Sequence, residues 1–574
     1  MIKKLIELSA KNKGLTLFLV LVVTAMGWYS MKKIPLDAIP DLSDTQVIVY
    51  STWNVSPDIM EDQVTYPVVT SLLGVPKVKD IRGLSTFGAS YVYVIFEDGT
   101  DIYWARSRVL EYLSKITPQL PEGVNTELGP DATGVGWVYQ YALKDTSGKR
   151  TLADLRSFQD WFLRYQLQAV PGVAEIASFG GFQKQYQVQV NPEALRVYNI
   201  PLKKLSKAIS QGNRESGARV LEYSGIEYMV RMRGYAKSVQ DLENVVVATG
   251  SNGVPIYVKN LATVTEGPEI RRGLGDLNGM GDTVGGIVVM RFGENANNVI
   301  ERVKTKIDSL KSSLPEGVEI VETYDRSTLI ERSINTLTHS LIVEIIIVAL
   351  IIIIFLLHIP SAMVPIITLP VSIIISFILM RMMNVSANIM SLGGIAIAIG
   401  AMVDAAIVVV ENCHKKIDEW RNKGAKGSVD EVIIAAVKEV GPASFYSLLV
   451  IAVSFLPIFA LEAQEGRLFK PLAYTKTFAM MVAAVLSITL VPALLILFTK
   501  AREIKKGPNW FTKSFNFIFA AKSRSEDDHP ISKFLFKIYG PVVDWCVNHR
   551  WKVVIASVLM VVGTLPVYFK LGSE

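Results

Sequence analysis

Asp404 and Glu411 are the residues of this chain whose type and spacing packing alone explains least. They stand seven residues apart in the apolar run AIGAMVDAAIVVVEN, residues 398 to 412. Seven residues are close to two helical turns, so on a helix both carboxylates project from one face, with Gly393 and Gly400 on the same stripe. Small residues let a second helix approach, and the acids would then face a bundle interior, because an unpaired charge in hydrocarbon is costly. The chemistry such a pair offers is proton relay. Desolvation raises a carboxyl's pKa and a nearby cation lowers it, so a partner that moves converts conformational change into proton uptake and release. The structural alternative has Asp404 satisfied by polar neighbours and Glu411 near the end of the run, beside Asn412, His414 and Lys415. Glu344 is a third acid in an apolar run, alone on its helix.

The elements that hold these acids read as membrane helices. Half of the 574 residues are hydrophobic, and mean hydropathy is +0.32. Apolar runs at 14–31, 340–357, 362–380, 389–410, 443–461, 477–498 and 553–569 are each long enough to cross a bilayer, which predicts seven spans. Lys3, Lys4, Lys11 and Lys13 place the N-terminus in the cytoplasm, and the connections after the fourth and sixth runs are also rich in Lys and Arg. Residues 34–336 then lie outside and the C-terminus also ends outside. The first run is followed by Lys32 and Lys33 rather than a cleavage site, and reads as a retained anchor. The net charge of +6 is explained by the cytoplasmic connections, which argues against nucleic acid as a partner. No nucleophile triad, phosphate loop or metallohydrolase motif is present, so the chain does not read as an enzyme.

The 34–336 region alternates strand and helix signals. TQVIVYSTW (45–53) reads as a strand, 56–73 as a helix, ASYVYVIFED as a strand and 101–116 as an amphipathic helix, an order that predicts a ferredoxin-like βαββαβ unit. The stretch 101–124 resembles 295–318, and GVPKVKDI (74–81) resembles AVPGVAEI (169–176). Two related α+β units are expected, with 181–271 inserted as a third piece. The segment 428–441 reads as a separate amphipathic helix along the cytoplasmic interface, opened by a Ser428–Glu431 capping box.

Three stretches carry a family resemblance: IPLDAIPDLSDTQVIV (34–49), AIGAMVDAAIVVVENCHK (398–415) and EGRLFKPLAYTKTFAM (465–480). They resemble the resistance-nodulation-division exporters, in the heavy-metal efflux branch, and most the Cus-type pumps for monovalent copper and silver. The resemblance covers essentially the whole chain, as the N-terminal half of such a pump. It implies proton-driven export from the bacterial inner membrane with Asp404 and Glu411 as the relay. It further implies a homotrimer, a periplasmic adaptor, an outer-membrane channel, and a C-terminal half that brings a lysine to Asp404. The ending PVYFKLGSE is similar to the opening of a second periplasmic region, so the chain is expected to be a fragment, a truncated product or one of two subunits.

The implied organisation is an anchor segment at 1–33, a first porter subdomain at 34–130, a second at 131–180 with 272–336, and a docking insert at 181–271. Spans two to six occupy 337–500, a cytoplasmic connector 501–550, and the seventh span with the second periplasmic region 551–574. The metal and protons are substrate and coupling ion, and no resident cofactor is expected. Drugs or other hydrophobic molecules, divalent zinc, cobalt or cadmium, and a non-transporting scaffold are the alternative readings.

The residues themselves are compatible with a soft metal. His339, His358, His414, His529 and His549 all fall in or beside spans or on the cytoplasmic side, as do Cys413 and Cys546, leaving 34–336 without imidazole or thiolate. Cu(I) and Ag(I) accept thioethers, whereas zinc and nickel sites usually draw on those missing ligands. Methionines stand at Met60, Met229, Met232, Met280 and Met290 outside, and the resemblance singles out Met390, Met402, Met480 and Met481 in the spans as metal ligands. In an apolar helix the same residue type also serves simply to fill gaps.

Overall fold

A computed structural model describes residues 1–250, 253–270, 273–356, 358–424, 427–498 and 530–570. His529, most of the expected 501–550 connector and the final residues 571–574 lie outside them. The chain divides into two units, Met1–Leu42 with Leu329–Glu574, and Ser43–Thr328.

The 43–328 unit contains two four-stranded antiparallel sheets. The first holds β1 (Gln46–Thr52), β2 (Val78–Thr86), β3 (Ala89–Phe96) and β4 (Asn125–Leu128) in the order β2-β3-β1-β4. Alternating burial along β1 is the signature of a half-covered sheet, and Val47 and Val49 meet Val68, Leu72, Val109 and Leu113 of the covering helices. The helix Ile102–Ile116 begins where the Asp101 carboxylate accepts the Trp104 N–H at 2.7 Å. The second sheet holds β5 (Trp137–Asp145), β6 (Val173–Gly180), β13 (Val284–Met290) and β14 (Val318–Asp325) in the order β14-β5-β13-β6. Taken as first, second, third and fourth strands, both sheets share one order. The resembling stretches occupy equivalent places: 101–124 and 295–318 form the helix before the fourth strand, and 74–81 and 169–176 run into the second. Each unit's first helix also carries one wider π turn, Glu61–Thr65 and Gln159–Leu163. These turns set polar groups against the sheet, Thr65 bonding Ser90 (2.7 Å) and Gln159 accepting from Tyr141 (3.0 Å).

Between the second and third strands of the second unit lie six more strands. β7 (Lys184–Val190) pairs with β12 (Ala262–Pro268), and β10 (Val246–Thr249) with β11 (Pro255–Tyr257), around a small core of Leu205, Leu242, Val258 and Leu261. β8 (Ser216–Tyr223) and β9 (Ile226–Met232) form a hairpin whose described side chains are all solvent-exposed. The two sheets are tied by Asp131, which accepts from Arg291 (2.9 Å) and from the Tyr103 hydroxyl (3.3 Å).

Among the described residues, the other unit has seven helices long and apolar enough to cross a membrane: Lys13–Lys33, Arg326–Leu356, Ile359–Met382, Ile389–Asn422, Val429–Ala460, Ala463–Phe498 and Arg550–Lys570. Each extends beyond its apolar run at one end or both, because helical hydrogen bonding continues past the hydrocarbon edge. Spans three to six pack together, the sixth the most buried, while the seventh has no buried residues. The expected separate helix at 428–441 is a correction. It is the first half of one continuous helix, Val429–Val453, that passes through Pro442, and Ser428 makes no side-chain cap bond. A proline is tolerated there because neighbouring helices supply the packing. A short helix, Ile2–Lys11, joins this unit through Glu7, which accepts from Lys11 (2.7 Å) and Lys438 (2.6 Å).

Candidate functional site

The fourth span is fixed at its start by a reciprocal cap. Asn388 Oδ1 accepts the Ser391 N–H (2.9 Å), and Ser391 Oγ accepts the Asn388 N–H (2.7 Å), all fully buried. One turn on, Gly394 lies against the sixth span, where an added Cβ would overlap Thr475 Oγ1 and come within 2.5 Å of the Leu472 carbonyl oxygen. That close approach lets the Thr475 hydroxyl bond Ser391 O at 2.8 Å. Gly394 thus sets how tightly the two spans press together.

The helix has two unlike faces. Ile395, Ala398, Ile399, Met402, Ala406 and Val409 are buried among the third, fifth and sixth spans. Gly400, Asp404, Val408 and Glu411 are exposed, and both Gly393 and Gly400 have open space where a Cβ would stand. The structure therefore brings Asp404 and Glu411 onto one small-residue face, about 10 Å apart along the axis. Among the described residues, no helix buries that face. Glu344 stands on the second span, half-buried beside His339 and Ser340 in a shallow hollow.

The four methionines that the resemblance singles out separate. Met402 (3 % exposed) and Met480 (fully buried) share one apolar cluster with Ala398, Leu448, Ala479 and Ala483. Ser372 Oγ lies 3.4 Å from Met402 Sδ. Beside Met402 is a cavity of about 10 Å³ with three hydroxyls on its wall, those of Thr368, Ser372 and Ser487. Met390 is half-buried in the first turn of the span and Met481 is exposed, and neither belongs to that cluster. Outside the membrane helices, Met60 and Met290 are buried as core, and Met229, Met232 and Met280 are exposed.

Two features have little signal in the sequence. Lys476 is 5 % exposed in the sixth span, its ammonium 3.0 Å from the centre of the Phe455 ring, a cation–π contact that only the packing of the sixth span against the end of the fifth creates. His358 and His414, 56 positions apart, meet at a ring separation of 5.2 Å with Ser361 between them. An HxxS sequence at a helix start and a histidine near a helix end are the only traces either leaves in the linear chain.

The model of the AcrB/AcrD/AcrF family matches residues 5–574. The chain is 48% identical to the cation efflux system protein CusA of Escherichia coli K12, over 100% of its own length and 54% of the relative's. It is 49% identical to the putative cation efflux system protein SilA of Salmonella typhimurium, over 95% of the chain and 50% of the relative. The cobalt-zinc-cadmium resistance protein CzcA of Cupriavidus metallidurans is 36% identical over 88% of the chain and 48% of its own length. An X-ray structure of a heavy metal efflux pump superposes with a TM-score of 0.75 at 32% identity, covering 87% of this chain and 49% of that one. The chain spans about half the length of the curated relatives it matches. By the match across nearly its whole length, the chain belongs to the AcrB/AcrD/AcrF family.

Proposed function

We propose that this chain is the N-terminal half of a proton-driven exporter of monovalent copper and silver in the bacterial inner membrane. One observation carries the reading: two intramembrane carboxylates share a small-residue face that is exposed among the described residues. A second set of helices, from a C-terminal half, closes that face and brings a cation to Asp404. Protonation of Asp404 and Glu411 then alternates with ion pairing as the two walls shift. Likeness to CusA and SilA, each named for cation efflux, supports the metal class over the divalent reading, because identity to CzcA is lower. Met402 and Met480, in one buried cluster, are the thioethers best placed to pass a soft cation inward, with Met390 and Met481 as flanking stations.

The N-terminus is cytoplasmic and 34–336 periplasmic. The two four-stranded units act as ferredoxin-like porter subdomains, and the inserted strands as a docking piece. The exposed β8–β9 hairpin supports a homotrimer, because an isolated two-stranded ribbon is marginal in water and gains stability from a partner. A periplasmic adaptor and an outer-membrane channel complete the export path. The test is a tolerance assay in a host lacking related pumps, with this chain expressed together with a C-terminal half. Growth in Cu(I) or Ag(I) is expected to recover, and growth in zinc or cobalt to change little. Recovery mainly in zinc or cobalt overturns the metal assignment.

A further inference from the structure

His358, Ser361 and His414 form a hydrogen-bonded chain that packing alone does not require. His358 stands at the start of the third span and is 8 % exposed. Its Nδ1 receives the Ser361 backbone N–H (3.3 Å) and lies 2.8 Å from Ser361 Oγ. His414, on the last part of the fourth span, places Nε2 2.6 Å from the same oxygen. A ring nitrogen that accepts a backbone N–H carries no proton, so His358 is protonated on Nε2 and Ser361 donates its hydroxyl to Nδ1. With its only proton given away, the serine oxygen accepts from His414 Nε2–H. The direction of the wire follows: His414 to Ser361 to His358.

Capping explains the contact between His358 and the Ser361 N–H. It does not explain a second imidazole on the far side of the hydroxyl, fully engaged within a membrane helix bundle. His414 is one turn from Glu411, about 4.5 Å along the axis. The charged group that bears on both rings is Arg421, near the helix end and 3.8 Å from Asp418, and Lys415 is the exposed cation next to His414. Cys413, buried beside His414, belongs to the apolar cluster around Ile6 and Val437.

We propose that His358, Ser361 and His414 are the cytoplasmic exit of the proton relay, receiving protons from Glu411 and releasing them to cytoplasmic water. The inference rests on the proton-driven reading above. A proton arriving at His414 Nδ1 makes that ring cationic. His414 then passes its Nε2 proton to Ser361 Oγ as the serine hydroxyl proton moves to His358 Nδ1. His358, now cationic, loses its Nε2 proton to water, which leaves both rings neutral with their proton on Nδ1; the wire resets when each ring gives its Nδ1 proton to water and takes one back on Nε2, and the serine hydroxyl turns again toward His358. No bond other than O–H and N–H is made or broken, and no co-reactant is needed.

The test uses the chain together with its C-terminal half in proteoliposomes, following Ag⁺-dependent proton movement with a pH-sensitive dye. His414→Gln and His358→Gln are expected to lower the flux per inserted pump by about tenfold or more. Imidazole added on the cytoplasmic side should restore it, because a diffusible base replaces the lost shuttle. Ser361→Ala should lower flux and Ser361→Thr, which keeps the hydroxyl, should not. Asp404→Asn should lose flux that imidazole does not restore, which separates the exit from the relay itself. Unchanged flux in both histidine variants overturns the inference and leaves the proton-driven reading standing. So does a loss that imidazole leaves uncorrected, which is a folding defect, or a loss of Ag⁺ binding with flux intact, which marks a metal site. A parent pump with no Ag⁺-coupled flux overturns the proton-driven reading and this inference together.

Discussion

The two faces of the fourth span obey different rules although they share one helix. The inner face is closed: Ala398, Met402, Ala406 and Val409 interlock with neighbouring spans, and Gly394 lets the sixth span come nearer than any side chain would allow. The outer face has glycines with nothing opposite and two carboxylates within two turns. The difference teaches that small residues on a membrane helix have two meanings, a contact already made or a contact reserved for another chain segment.

Substituting one glycine from each face separates those meanings most sharply. Gly394→Val should destabilise the purified chain by about 3 kcal/mol or more, since the added atoms meet backbone as well as side chain. Gly400→Val should leave the chain's own stability within about 0.5 kcal/mol, because it enters open space, yet weaken association with a C-terminal half. Thermal melting in detergent measures the first, and co-purification of the two halves the second. Equal destabilisation by both would erase the distinction.

A smaller effect is expected inside the closed face. Met402→Leu and Met480→Leu conserve volume and should change stability by under about 1.5 kcal/mol, while Ag⁺ tolerance of the two-half pump falls several-fold. Unaltered tolerance in both variants would return these methionines to simple core packing.

How much of this was legible in the chain depends on the range of the forces involved. Seven spans follow from local apolar length, and the strand–helix alternation of 45–116 from local periodicity. The apolar stripe of 428–441 was visible, but nothing local shows that the helix continues through Pro442 into the fifth span. Asp404 and Glu411 were legible as sharing a face, because helical geometry alone places them there. Which face is covered was not, since Gly393 and Gly394 are neighbours in sequence with opposite environments. The pairing of Met402 with Met480, and of His358 with His414, arises from helix crossings that no short window contains.

The smallest expected effect concerns the clamp between the N-terminal helix and the start of the fifth span. Hydrogen bonds from Lys11 and Lys438 hold Glu7 down at about 2, below its ordinary 4.5. A depressed acid stabilises the folded form above its unfolded value, and that contribution is lost as pH falls from about 4.5 through about 2. Hydrogen exchange in residues 2–11 should therefore rise modestly between pH 5 and pH 3, after correction for intrinsic rates, and Glu7→Gln should flatten the change. An equal rise in that variant would remove Glu7 from the account.

Asp404 is where the open face and its chemistry meet, so the most direct measurement is Ag⁺ tolerance together with Ag⁺-dependent proton movement for Asp404→Asn in the two-half pump. The substitution keeps size and removes the proton-binding group. The protein should insert at normal levels while both tolerance and coupled proton movement vanish; tolerance at the parent level would contradict the relay.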